Sequence, residues 1–199
     1  MATVPVSDGR SARSQRTRNA VVDALLDLNR EGNLRPTARE IAARAGVSLR
    51  SVYVHFDDLE DLFLAAAKRH VELLSGMVVE VPATGPLRSR AETLVRERSR
   101  IHESVGNVRK AAALQEPFSP TLARWLAAGR KVANAEIERV FAHELETMAP
   151  DVRARRLAIV AALASSAVWD HIRSPQQLDV AATRAAVADA IIAVLEQEE

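Results

Sequence analysis

The sequence predicts an all-α protein of about nine helices, and three observations carry that prediction. Alanine supplies 36 of the 199 residues and only seven are aromatic, a composition that suits helices better than strands. Apolar residues recur at spacings of three and four rather than two, so they line one side of a helix. Prolines, glycines and serine-proline steps cut the chain into helix-length blocks.

Taken in order, residues 1–16, rich in Ser, Arg and Gly, are expected to form a flexible basic arm. The first helix is expected over Thr17–Arg30, with Val21, Val22, Leu25, Leu26 and Leu28 on its inner stripe and Gly32 just past its end. Thr37 and Glu40 have capping-box spacing and open a second helix that runs to Ala45, where Gly46 stops it. A third, short helix follows from Ser48 to about His55. A fourth starts near Asp57 and reaches about Val79. Beyond the Pro82–Pro86 break, blocks are expected at Leu87–Glu103, Asn107–Gln115, Ser119–Thr147, Asp151–Ile172 and Gln176–Gln197. This divides the chain into an arm over 1–16, a block of short helices over 17–56 and a larger helical block over 57–199, joined by helix 57–79.

Composition narrows the function. With no cysteine there is no disulfide framework, thiolate zinc site or cysteine nucleophile. The start lacks an apolar signal sequence, and the longest apolar run, Leu157–Ala164, is far below the roughly 20 residues that span a bilayer, so a soluble cytoplasmic protein without a membrane partner is expected. The net charge of +1 conceals an asymmetry. Residues up to Phe56 hold nine arginines against five carboxylates, while the remainder holds eighteen cations against twenty-one carboxylates.

Thr37 to Phe56 has the grammar of a helix-turn-helix: a short helix, a glycine turn and a second short helix. Ile41, Ala42, Ala45, Val47, Val52 and Phe56 are spaced to face inward. Ser48, Leu49, Arg50, Ser51, Tyr53 and Val54 are left outward, a mixture of polar, basic and aromatic groups suited to a DNA groove.

Residues from about Arg18 to Ala66 resemble the DNA-binding domain of the tetracycline-repressor (TetR) family. The resemblance rests on Ile41-Ala42-Ala43-Arg44-Ala45-Gly46-Val47-Ser48 and Val52-Tyr53-Val54-His55-Phe56, preceded by Gly32 and Thr37 and followed by an acidic, leucine-containing helix. It implies a homodimer on a palindromic operator, with the third helices in major grooves about 34–36 Å apart. It places Thr37, Ser51, Tyr53 and His55 toward phosphates and Ser48, Leu49, Arg50 and Val54 toward base edges, Arg50 being suited to a guanine and Leu49 to a thymine methyl. Arg10, Arg13, Arg16 and Arg18 would add phosphate or minor-groove contacts from the arm. One departure is Leu59, which stands where the family carries a lysine, within Asp57-Asp58-Leu59-Glu60-Asp61. The resemblance further implies a small-molecule effector that binds the second domain, tilts the fourth helix and weakens operator affinity.

Candidate effector contacts are His102, Gln115, Phe118, Trp125, Phe141, His143, Trp169 and Asp170, which combine apolar walls with polar groups. The dimer is expected on the last helices, where Ala161, Ala164, Ala182 and Ala185 permit close approach and Leu157, Val168, Ile191 and Leu195 supply area. No metal, cofactor or catalytic residue is expected. Asp170 and His171 are adjacent and point about 100° apart on a helix, neither His102-Glu103 nor His143-Glu144 continues into a zinc-protease motif, and the glycines fit no dinucleotide fingerprint. Two other readings stay open: an all-helical enzyme or ligand carrier, and an architectural protein that binds duplexes without sequence preference.

Overall fold

The computed structural model describes residues 7–174 and 177–196, all α-helical apart from turns, connecting loops and one 3-10 turn at Glu116–Phe118. Ten α-helices are present among them: α1 (Ser7–Arg30), α2 (Ala38–Ala45), α3 (Leu49–His55), α4 (Leu59–Ser75), α5 (Leu87–Gln115), α6 (Pro120–Val140), α7 (Ala142–Glu146), α8 (Pro150–Leu163), α9 (Ser166–Arg173) and α10 (Val180–Glu196). They form two compact units, an N-terminal one of residues 7–76 with 105–125 and a C-terminal one of 77–104 with 126–196.

Several boundaries differ from those expected. Helix α1 begins at Ser7 rather than Thr17, because the arginine- and serine-rich lead contains good helix formers and local bonds such as Gln15 Nε2 to Asn19 Oδ1 at 2.9 Å. The expected arm is therefore helical from residue 7, and residues 1–6 lie outside the described part. Helix α4 is shorter than expected, with its N-cap at Asp58 and its C-cap at Gly76. Helix α5 runs straight through Gly106, since Val105 and Val108 on either side are buried and tertiary packing outweighs the roughly 1 kcal/mol cost of an internal glycine. Conversely, the last long blocks are broken. Ser165 caps α9 by accepting from the Val168 N–H at 3.4 Å, which separates it from α8, and α6 gives way to α7 at Phe141.

In the N-terminal unit, α1 packs against α2, α3 and α4, and Leu25, Ile41, Val52, Phe56, Leu62 and Val108 share one core. His70 on α4 has both ring nitrogens buried without a hydrogen-bond partner among the described residues. Burial, with a smaller contribution from the Arg30 charge, holds its pKa below the ordinary 6.5. The unfolded chain then takes up a proton that the folded one refuses. Stability should be full above pH 6.5 and decline as the pH falls below it. In urea titrations between pH 7 and 5, His70→Leu is expected to flatten that decline, and an unaltered pH dependence would contradict this account.

The C-terminal unit is organised around Leu94, Ile137, Phe141, Leu145, Val160 and Ile191. Arg90 is buried among them at 4% exposure. Its Nη1 donates to the Val140 carbonyl at 2.6 Å, its Nε to the Gly85 carbonyl at 2.9 Å, and both terminal nitrogens to the Glu144 carboxylate.

Candidate nucleic-acid interface

The turn between α2 and α3 is built locally. Gly46 sits in the left-handed region at φ 67°, and its N–H returns to the end of α2, a conformation that would strain any residue with a side chain. Ser48 caps α3 by accepting from the Ser51 N–H at 3.1 Å, and the two serine hydroxyls lie 2.9 Å apart. With Val52 and Phe56 each 2% exposed, the inner face of α3 is fixed. The opposite face turns Leu49, Arg50, Tyr53 and Val54 outward, Val54 being 69% exposed. Large apolar groups are thus left in water beside an arginine, on a helix of only seven residues.

The other expected DNA contacts divide. At the start of α2, the Thr37 hydroxyl donates to Glu40 Oε2 at 2.6 Å and accepts from the Glu40 N–H at 3.3 Å, so its proton is committed to the capping box. Those bonds from the Thr37 side chain and then its backbone hold the Glu40 carboxyl below its ordinary value. Ser48 and Ser51 are likewise bonded to each other, and His55 is half-buried. Arg16 is exposed on α1, as is Arg13 one turn earlier. Arg18 instead turns inward: its guanidinium lies 4.1 Å from the centre of the Phe56 ring, donates to the His55 carbonyl and reaches Asp61 at 3.6 Å. Leu59, in the place of the customary lysine, packs half-buried against the core. Sequence reasoning missed Arg35 and Arg39, which flank the α2 cap, exposed and without an acidic partner among the described residues. The signal was present in their position beside Thr37. Arg44 is not equivalent to them, because Glu31 holds it with two bonds of 2.9 and 2.6 Å.

The expected effector residues fall in both units. In the C-terminal unit, His102 and Trp169 are neighbours, their ring centres 6.1 Å apart, beside a cavity of about 10 Å³ that Arg98 and Ser99 also line. Trp169 Nε1 donates to Glu103 at 2.7 Å, and Asp170 is half-buried in the next position. Phe141 is fully buried in the core beneath Arg90, and His143 is exposed. Gln115, Phe118 and Trp125 belong to the N-terminal unit. There Gln115 lines a cavity of about 30 Å³ together with Asn29, while Phe118 is 74% exposed. Among the described residues no group of three His, Asp or Glu could hold a metal ion, and no helix is long and apolar enough to cross a membrane.

The residues expected at the dimer interface also separate. Ile191, Leu195 and Ala164 are buried in the chain's own core, and Leu157, Ala161 and Val168 are half-buried. Ala182 and Ala185 are exposed on α10, as are Ala186 and Ala193, while α8, which packs on α10, exposes Ala158, Ile159 and Ala162.

A glycine turn between two short capped helices, the second with an outward basic and aromatic face, defines a helix-turn-helix protein. Residues 22–66 match the family model of the bacterial regulatory proteins of the tetR family, so this segment is similar to the DNA-binding domain of that family. Over 82 residues it is 32% identical to uncharacterised HTH-type transcriptional regulators of Mycobacterium bovis and Mycobacterium tuberculosis. That stretch is 39% of this chain, and it spans 40% of the length of these relatives. Among solved structures, the fold is similar to a tetR-family transcriptional regulator from Streptomyces coelicolor (TM-score 0.68, 24% identity, covering 89% of this chain and 81% of the other). A transcriptional regulator from Rhodococcus sp. RHA1 is also similar (TM-score 0.65, 23% identity, covering 90% and 96%).

Proposed function

We propose that this chain is a cytoplasmic transcriptional repressor that binds a palindromic operator as a homodimer and is released by a small-molecule effector. The outward face of α3 carries the reading: Arg50 stands without a side-chain partner among the described residues, between Leu49 and the exposed Tyr53 and Val54, on a helix fixed from behind by Val52 and Phe56. Arg50 would read a guanine edge and Leu49 a thymine methyl, while Tyr53, Arg39 and Arg16 would hold phosphates. The exposed alanines of α8 and α10 support self-association, because small side chains let two helix pairs approach closely. The effector is placed in the C-terminal unit beside His102 and Trp169, where the cavity of about 10 Å³ would have to open further to admit it.

The test is affinity for an operator selected from random duplexes against that for random duplex, at one fixed salt concentration. A repressor of this type should prefer its operator by about 10³-fold or more. Equal affinity for both would favour an architectural protein, and no duplex binding would favour a carrier or enzyme. Arg50→Ala should weaken operator binding by about 1–3 kcal/mol and relax preference at a single base pair in each half-site. An unchanged preference at every position would remove Arg50 from the reading surface.

A further inference from the structure

We propose that Arg18 is a positioning residue that aims the reading helix, rather than one of the residues that hold DNA phosphates. This rests on the DNA-binding function proposed above. Arg18 is on α1, yet all three of its partners lie on other elements of the same unit. One guanidinium nitrogen donates to the carbonyl of His55, the last residue of α3. The other stands 3.6 Å from Asp61 in the first turn of α4. Between them the planar group lies over the ring of Phe56, 4.1 Å from its centre.

The end of α3 needs such a partner. A helix leaves its last carbonyls without intrahelical donors and concentrates partial negative charge there. In α3 the chain leaves through Phe56 in an extended conformation, φ −137° and ψ 125°, so no left-handed glycine folds back to satisfy those carbonyls. For the His55 carbonyl, a cation supplied from α1 does so instead. At its other end α3 is held by the Ser48 cap and the Gly46 turn. The seven-residue reading helix is thus fixed at both ends, and at the second end Arg18 adds to the hold of the buried Phe56.

Only arginine can make this set of contacts. Its rigid fork presents donors in two directions while its flat face stacks on an aromatic ring, whereas a lysine ammonium offers a point charge without the plane. A phosphate that captured this guanidinium would draw it away from α3 and α4. The exposed Arg13 and Arg16 carry no such commitments among the described residues and are better placed to serve phosphates.

The experiment measures binding to operator and to random duplex across a salt series for the wild type, Arg18→Ala, Arg18→Lys and Asp61→Asn, with helix content checked by circular dichroism. For Arg18→Ala, operator affinity is expected to fall about tenfold while random-duplex affinity and the slope of log K against log salt stay unchanged. Arg18→Lys should recover only part of the loss. Asp61→Asn removes a negative charge yet should still lower the ratio of operator to random affinity, and it covers the case in which Arg18→Ala fails to fold. A slope reduced by about 0.9 per lost contact, with both affinities falling together, would overturn the inference and make Arg18 a phosphate contact. An Asp61→Asn ratio equal to that of the wild type would also overturn it. If the wild type shows no salt-dependent duplex binding, the DNA-binding function falls and this inference falls with it.

Discussion

Arg90→Ala is expected to destabilise the chain by about 3–5 kcal/mol, because it removes one partner of a buried ion pair and leaves the other uncompensated. The Glu144 side chain is 14% exposed, and the Val140 and Gly85 carbonyls would also lose their donors. Arg90→Met, which keeps much of the packing volume, should cost the same pairing but less of the cavity. Burial pushes the Glu144 carboxyl up, and the bonds from Arg90 more than reverse this, leaving it below the ordinary 4.5. A carboxyl depressed in the folded state contributes stability above its unfolded pKa, and that contribution is lost as pH falls through the folded value. The gap between wild type and Arg90→Ala should therefore be full above pH 4.5 and narrow in stronger acid. Urea midpoints at pH 7 and pH 3 check both parts. A gap of less than 1 kcal/mol at neutral pH would show that Arg90 is dispensable.

Phe56→Ala should cost about 3–5 kcal/mol through lost burial and the cavity left behind. Its ring is 2% exposed, shares a core with Leu25, Ile41, Val52 and Leu62, and carries the Arg18 guanidinium on its face. The loss is expected to remove operator binding as well, since α3 would lose both its inner anchor and the support of its C-terminal contact. Phe56→Leu should retain most of the stability but not the stacked arginine, and so should bind the operator with reduced preference. Hydrogen exchange of the α3 amides is the direct measurement. If exchange there is unchanged in Phe56→Ala, Phe56 does not anchor the helix.

The parts of the site legible in the sequence are those made within a few residues. Thr37 and Glu40 announce a capping box by their spacing, and the bonds between them are present at 2.6 and 2.7 Å. Gly46 before Val47-Ser48 announces the turn, and it adopts the positive φ that favours glycine. The outward set Leu49, Arg50, Tyr53 and Val54 follows from helical spacing once Val52 and Phe56 are placed inside. Where competing local signals met tertiary packing, packing prevailed: Gly106 reads as a break but is held inside α5 by buried neighbours.

By itself the sequence determined the helical class, the capped turn and the outward face of α3, because caps, glycine turns and helical periodicity act over one to four residues. Only the tertiary structure decided the fate of long or apolar side chains whose partners are remote in sequence. Arg18 reads as one of four arm arginines until α3 is brought beside α1, where it meets a carbonyl 37 residues away. Ile191 and Leu195 read as area for a partner chain until packing buries them and leaves Ala182 and Ala185 outside. A helical repeat identifies a face, but which neighbour covers that face depends on how the helices assemble.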